Sequence, residues 1–574
     1  MAKPIKTVFL LFAFLYLSAL LICPADDLSG IKQTLSDKAY GNYWDRLKAI
    51  NKLKAFNSKE AAMMLVSLFD DDEAPIREAA LTTLGCFTDK DALDYLATTA
   101  LVNMKSSQQR LYAAWALGII RNEAVLPHLV KALNNEPDED ALSRIIRSIA
   151  DQPNNSKAED GHPPLRSRRF EMAEDGLIRK LSDGSSAVRA SAIEALGRMG
   201  STESYVHILK RAYTTNPSIR TAALEALARI KPQESIGYLE SALKDTLPEA
   251  RITALEMLTR HCNDKTLVLK SATGLLRDKN PAVRATAVQS LMELREKEGL
   301  KALIDCLPEA SWRLRYDIVT ALKNLTGRDF GFDARAWFNW YEANKDKIEI
   351  MTEGPARLDT RSGGKGMPAD IDTVKQPDLS GETIPTFFGI PVAGRDVVFI
   401  IDFSKSMKNE AQDDDDKKER KADIAIRELE ETLKRFPPEM KFNIIILSTE
   451  AARYNKRKAS KIMLPATEEN KKAALDFVRS VWDRLEDLRR GRGDHYDALV
   501  EALSEPEVDT VFLLSDGKPT YGTYVQPDNI IENIYRLNRF KKIVINTITT
   551  GKKGTNRELM EKLAEDSNGI CVSR

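Results

Sequence analysis

An arginine followed at offsets three, four and seven by Ala, a small or aliphatic residue and Leu recurs down the first 345 residues of this chain. It occurs at Arg46, Ala49, Ile50 and Leu53, and again from Arg77, Arg110, Arg189, Arg220, Arg251 and Arg284, with steps mostly of 31 or 33 residues. Arg315 with Leu322 is a looser copy, and one further unit has Leu142 in the Arg slot and Ile149 in the Leu slot. Offsets three, four and seven share one helix face, and the small Ala lets a neighbouring helix approach closely. Each copy follows another apolar helical segment, such as Ala124 to Leu133. A helix pair of this size cannot bury its core alone, so the period predicts a stack in which each unit covers the next.

With Val188-Arg189 and Val283-Arg284 showing the motif most plainly, the repeat resembles HEAT repeats of the short bacterial kind. That resemblance implies an all-α solenoid over 30–345. One polar insert near 151–175, holding Pro163, Pro164 and Arg166 to Arg169, lengthens a step to 47. The arginine ladder has two readings, a basic stripe for an acidic partner or a packing device. Regular recurrence and neutral overall charge favour packing, each Arg tying its helix to the neighbouring repeat through a carboxylate such as Asp72 or Asp183 in the preceding turn. His128, His207 and His261 read as surface or packing residues. The aromatic run Phe330 to Tyr341 is expected to cap the end of the stack.

At 574 residues the chain is too long for one core, and its 85 basic and 85 acidic residues cancel. No basic excess points to nucleic acid. Residues 1–25 stand apart: Lys3 and Lys6 precede an apolar stretch from Val8 to Ile22, then Cys23-Pro24-Ala25, the layout of a cleaved secretory signal. Export to a periplasm, cell envelope or exterior is the expectation. A lipoprotein modified at Cys23 and an uncleaved anchor are the alternatives, and only these would attach the chain to a membrane. Cys86, Cys262, Cys306 and Cys571 form no metal-binding or disulfide pattern. Residues 346–383, rich in Gly and Pro, read as a flexible linker.

Beyond the linker, Val397 to Ile401 reads as a strand buried on both faces, ending at Asp402, Ser404 and Ser406. These could be ordinary cap and turn residues. A carboxylate and two hydroxyls at a strand's carboxyl end also suit a hard divalent cation, Mg²⁺ first, with Mn²⁺ or Ca²⁺ as alternatives. A second strand ends at Ser515-Asp516-Gly517, and Gly493-Asp494-His495-Tyr496-Asp497 opens a helix between them. Strands near 397–401, 442–447, 510–514, 543–547 and 569–572 alternate with helices near 422–435, 471–486, 496–503, 528–538 and 556–565. This order predicts an α/β doubly wound, Rossmann-like domain with a mostly parallel sheet. The stretch Thr386 to Val392 is expected to strap the domain's edge.

On these motifs residues 395–574 resemble the von Willebrand factor A (VWA) family, within a domain spanning 384–574. The resemblance implies a metal-ion-dependent adhesion site with Asp402, Ser404 and Ser406 on the first loop and Asp516 on the third. The second loop departs from the family: Gly493 stands at the usual Thr ligand, leaving Asp494 next door as a candidate ligand, and Lys405 replaces a common Gly. In that family an acidic residue of a protein partner completes the ion. The sequence carries no nucleophile elbow, phosphate loop or zinc-protease motif. It is therefore read as a non-enzymatic, exported adhesion or interaction scaffold, with the solenoid as a second binding surface. A metal-dependent hydrolase using His495 or Asp494, a lyase, and a structural scaffold with a degenerate metal site are the alternatives.

Overall fold

The structure is a computed structural model that describes residues 28–36, 43–153, 168–351, 384–412, 418–449, 457–486, 492–550 and 557–573. The expected signal over 1–25, residues 154–167 of the insert, 352–383 of the linker and a run of four aspartates at 413–416 lie outside the described residues. Among the described residues no helix is long and apolar enough to cross a membrane. Two compact units are formed, Met1–Gly176 and Leu177–Arg574.

Both units contain antiparallel-type helix pairs at the predicted period. In the first, Tyr43–Leu53, Ala74–Leu84, Ser107–Ile120 and Glu139–Ala150 carry the motif. In the second it lies on Ser186–Arg198, α1 (Pro217–Ile230), α2 (Pro248–His261), α3 (Pro281–Leu294) and α4 (Trp312–Thr326). Proline opens α1, α2 and α3, where its missing N–H costs nothing, and Asn216 and Asn280 accept from the first free amides of α1 and α3. The Ala and Leu slots are buried throughout, as at Ala223, Leu227, Ala254 and Leu258. Close approach reaches its limit at Gly197, where a Cβ would lie 2.7 Å from that of Ala226.

The arginines hold the stack through backbone carbonyls and, at several positions, through carboxylates of the following turn. Arg251 Nη1 donates back to the carbonyls of Asp245 (2.7 Å) and Thr246 (3.3 Å), while Nε and Nη2 grip both oxygens of Asp278 at 2.8 and 2.7 Å. Asp278 in turn offers its carbonyl to Arg284, and Asp245 offers its carboxylate to Arg220. In the first unit Asp71 links Arg46 and Arg77 in the same way, and Glu136 takes Arg110 in two bonds of 2.7 Å. Asp72 and Asp183 contribute backbone carbonyls to Arg77 and Arg189, while Arg46, Arg110, Arg220 and Arg251 each take a carboxylate from the turn one repeat later. One guanidinium edge folds over the start of its own helix, where carbonyls converge, and the other edge is left facing forward.

The aromatic helix Ala334–Asn344 packs on the last pair, with Trp337 fully buried and its Nε1 donating to Gly331 O at 2.8 Å.

Among the described residues the main sheet of the C-terminal domain has six strands: β1 (Asp396–Asp402), β2 (Lys441–Leu447), β3 (Leu464–Pro465), β4 (Thr510–Ser515), β5 (Val544–Thr549) and β6 (Cys571–Ser573). Their order is β6-β5-β4-β1-β2-β3, parallel except for the two-residue edge strand β3. Val397, Phe399 and Ile401 face α5 (Lys421–Lys434) and α6 (Glu468–Glu486). Val398 and Ile400 face α7 (His495–Leu503), α8 (Pro527–Asn538) and α9 (Arg557–Asp566). The sheet is doubly wound, and β1 is apolar on both sides because both sides are covered. The strap lies on the sheet's face rather than its edge: Phe387 meets Phe399 and Phe512 with ring centroids 5.0 and 5.6 Å apart, over the two central strands.

At the amino edge of the sheet Asp396 neighbours Asp509, whose Oδ2 accepts from the Arg395 and Asp396 amides. Burial, and then the charge of Asp509, push the Asp396 carboxyl from 3.8 up to about 6.

Two predictions follow from these contacts. Arg251→Ala leaves the partly buried Asp278 carboxylate without its two-pronged partner and is expected to cost about 2 kcal/mol in urea unfolding; Arg277→Ala, which removes an exposed pair with Glu309, should leave the curve unchanged. Because the native state holds the Asp396 proton more tightly than the unfolded chain, stability gains as pH falls through about 6 towards 4. Asp396→Asn should therefore stabilise the fold by about 1 kcal/mol near pH 7, after allowance for solvent screening, and lose that advantage below about pH 4 in thermal melts.

Candidate metal centre

Strand order reverses between β1 and β4: the chain leaves β1 towards β2 and leaves β4 towards β5. The crevice between two such strands, at their carboxyl ends, is where doubly wound sheets place ligands. Asp402 ends β1, and Ser515 ends β4 just before Asp516.

A chain of hydrogen bonds joins four of the expected residues. Asp402 Oδ1 accepts from the Ser404 amide at 2.6 Å, and the Ser404 and Ser406 hydroxyls lie 3.1 Å apart. Ser406 Oγ donates to Asp516 Oδ1 at 2.5 Å. Burial pushes the Asp402 carboxyl up to about 6; the Ser515 hydrogen bond pulls the other way, and the charge of Asp516 adds to the rise. Two neighbouring carboxylates in a site closed to water call for a positive charge. Lys421, at the start of α5, supplies one to Asp516 Oδ2 at 2.6 Å.

The second loop is arranged differently. Asp494 caps α7 by accepting from the Asp497 amide at 3.2 Å and pairs with Arg457 Nη1 at 3.1 Å. Its carboxyl is pushed up to about 6 by burial, against the pull of Arg457. That carboxylate is thus committed to a helix terminus and an arginine rather than to the other four residues. At Gly493 a Cβ would lie 3.0 Å from His495 Cε1 and 3.4 Å from the Lys518 carbonyl. The buried His495 ring fills the space a Thr side chain would need, and its Nε2 shares a 2.9 Å hydrogen bond with Ser515 Oγ. Burial pushes the His495 imidazole down to about 4, so it is neutral near pH 7. Gly493 is clamped to the third loop instead, its amide donating to Thr520 Oγ1 at 3.0 Å and its carbonyl accepting from the Thr520 amide at 2.9 Å. Lys405 is exposed.

Ser515, Lys421 and Arg457 are parts of this network that sequence reasoning did not assign. Ser515 had a signal, standing in the same Ser-Asp-Gly that points to Asp516. Lys421 had none, since its partner is 95 residues away.

Among the described residues no three His, Cys, Asp or Glu side chains converge as a ligand cluster. The candidate centre is a mixed set of two carboxylates and two hydroxyls. A set made only of oxygens, with one carboxylate fully buried beside another, fits a hard divalent ion.

Family models match within the solenoid: HEAT repeats over residues 174–259 and 238–323, and a PBS lyase HEAT-like repeat over 109–135. HEAT repeats thus make up the solenoid over the matched residues 109–135 and 174–323. No curated protein sequence matches the chain. Among solved structures, the E. coli protein YibA is 19% identical, with 50% of this chain and 97% of that chain covered at a TM-score of 0.33. Importin beta is 14% identical over 52% of this chain and 46% of its own, with a TM-score of 0.37. A designed armadillo repeat protein is 18% identical over 36% of this chain and all of its own, with a TM-score of 0.23.

Gly522, in the loop after β4, has φ +104° and would place a Cβ 2.2 Å from Asp494 Oδ1. Gly522→Ala is expected to cost about 2 kcal/mol through backbone strain and displacement of the α7 cap, read as a lowered unfolding midpoint.

Proposed function

We propose that the C-terminal domain is a VWA-type binding module of an exported interaction scaffold. In this reading Asp402, Ser404, Ser406 and Asp516 hold a divalent cation, Mg²⁺ or alternatively Mn²⁺ or Ca²⁺. The observation that carries the reading is the convergence of these four side chains at the sheet's switch point, with Asp402 excluded from water next to a second carboxylate. A bound ion would supply a Lewis-acidic position that an Asp or Glu of a protein partner completes. The solenoid fits the same picture, because stacked repeats expose long surfaces suited to binding proteins.

The chain's own residues set the terms of binding. Lys421 balances part of the negative charge and competes with any incoming cation for Asp516 Oδ2. Ser515 and His495 hold Asp402 Oδ2 in place from behind. Asp494, expected as a fifth ligand, serves the loop by fixing α7 and Arg457. We read the module as non-enzymatic, since Ser515, the hydroxyl beside His495, is fully buried.

Calorimetric titration of Mg²⁺ into the full chain tests this. Binding is expected, lost in Asp516→Asn and strengthened about tenfold in Lys421→Met, which removes the competing charge. A folded protein that takes up no Mg²⁺, Mn²⁺ or Ca²⁺ at millimolar concentration would remove the proposal.

A further inference from the structure

Within the second unit, the turn that follows α8 reaches into the solenoid. Arg539 pairs with Glu225 of α1 at 2.7 Å, and Lys542 pairs with Glu256 of α2 at 2.6 Å, a carboxylate that Arg539 also approaches at 3.6 Å. Between these cations Phe540 packs on Ile252, Ala282 and Val283, an apolar patch made by α2 and α3. Burial would raise the Glu256 carboxyl, yet Lys542 and Arg539 hold it below the ordinary value. Two further bonds lie along the same helices: Arg313 of α4 donates to the Asp509 carbonyl at 3.4 Å, and Asn568 donates to Gln289 of α3 at 3.3 Å.

The turn is shaped before it docks. Asn538, itself buried, donates to the Ile543 carbonyl at 2.6 Å and accepts from the Ile543 amide at 2.8 Å, closing the loop. Lys542 takes the left-handed conformation with φ +54°. Asp509, residues 539–542 and Asn568 have one thing in common: each lies in the segment that leads into a parallel strand, β4, β5 or β6. They therefore lie on the amino edge of the sheet. The four converging side chains lie on the carboxyl edge.

We propose that α1 to α4 form a dedicated cradle for the C-terminal domain, with Arg539 and Lys542 as charge keys and Phe540 as an apolar plug. The solenoid thereby carries the domain as a fixed head, held by its amino edge with the opposite edge turned outward. The acidic notch of Glu225 and Glu256 is an intramolecular docking site, filled by this chain and not left for a partner. This holds whether or not a cation binds at the other edge, because none of the cradle residues belongs to that centre.

Small-angle scattering and hydrogen exchange on the full chain test the cradle. Glu225→Arg with Glu256→Arg is expected to release the head, increasing the radius of gyration and making amides of 539–545 exchange at least tenfold faster. Adding Arg539→Glu and Lys542→Glu to that variant should restore the wild-type radius and protection. If the reversed repeats fail to fold by circular dichroism, Arg539→Ser with Lys542→Ser, altered only on the surface turn, is expected to give the same release. A folded variant of either kind with wild-type radius and exchange overturns the cradle. Mg²⁺ titration of the same variants separates this outcome from failure of the metal reading.

Discussion

A guanidinium packed between helices draws acceptors to its fork of N–H groups, and much of the stacked half of this protein is arranged around such contacts. Arg77, Arg110, Arg189, Arg251 and Arg284 each spend one edge on the carbonyls that open their own helix, and Arg110 and Arg251 spend the other on a carboxylate from the next turn. The same acidic residue then offers its carbonyl to the following arginine. Arg220, Asp245, Arg251, Asp278 and Arg284 thus form one continuous line of contacts. Apolar Ala and Leu slots supply most of the burial, but these bonds set the rotation between successive units, since a repeat out of register leaves a charge unpaired in the interior.

The C-terminal domain faces the opposite electrostatic problem. Its central strand is apolar on both faces and delivers Asp402 into a place without water, next to Asp516. Hydroxyls of Ser404, Ser406 and Ser515 satisfy the oxygens without neutralising them, and Lys421 contributes a positive charge from the neighbouring helix. In the proposed reading, the charge left uncompensated here is what a divalent cation would answer. The buried neutral His495 and the Gly493 backbone tie the described part of the second loop to Ser515 and Thr520 without adding to that charge.

The sheet's two edges have different partners. Its amino edge carries Arg539, Phe540 and Lys542 against acidic and apolar groups of the solenoid, while its carboxyl edge carries the oxygen-rich cluster. Parallel strands make this separation automatic, because every strand begins at one rim and ends at the other.

Periodicity by itself determined the stacked helix pairs and the alternation of strands and helices from Val397 onward, because apolar spacing of 3.6 residues or a run covered on both faces is a local property of the chain. The cluster at Asp402, Ser404, Ser406 and Asp516 was legible for the same reason: all four follow strands whose ends are marked in the sequence. What only the tertiary structure decided are the pairings between distant residues. The arginine carboxylates come from the following turn, the Phe387 strap lies on the central strands, and β3 adds an antiparallel edge of two residues, too short and too proline-bound to show a period. Lys421 against Asp516, Arg457 against Asp494 and Lys542 against Glu256 have no signature in sequence spacing, because the energy of an ion pair depends on distance and burial in the folded chain, and neither is fixed until the layers have packed.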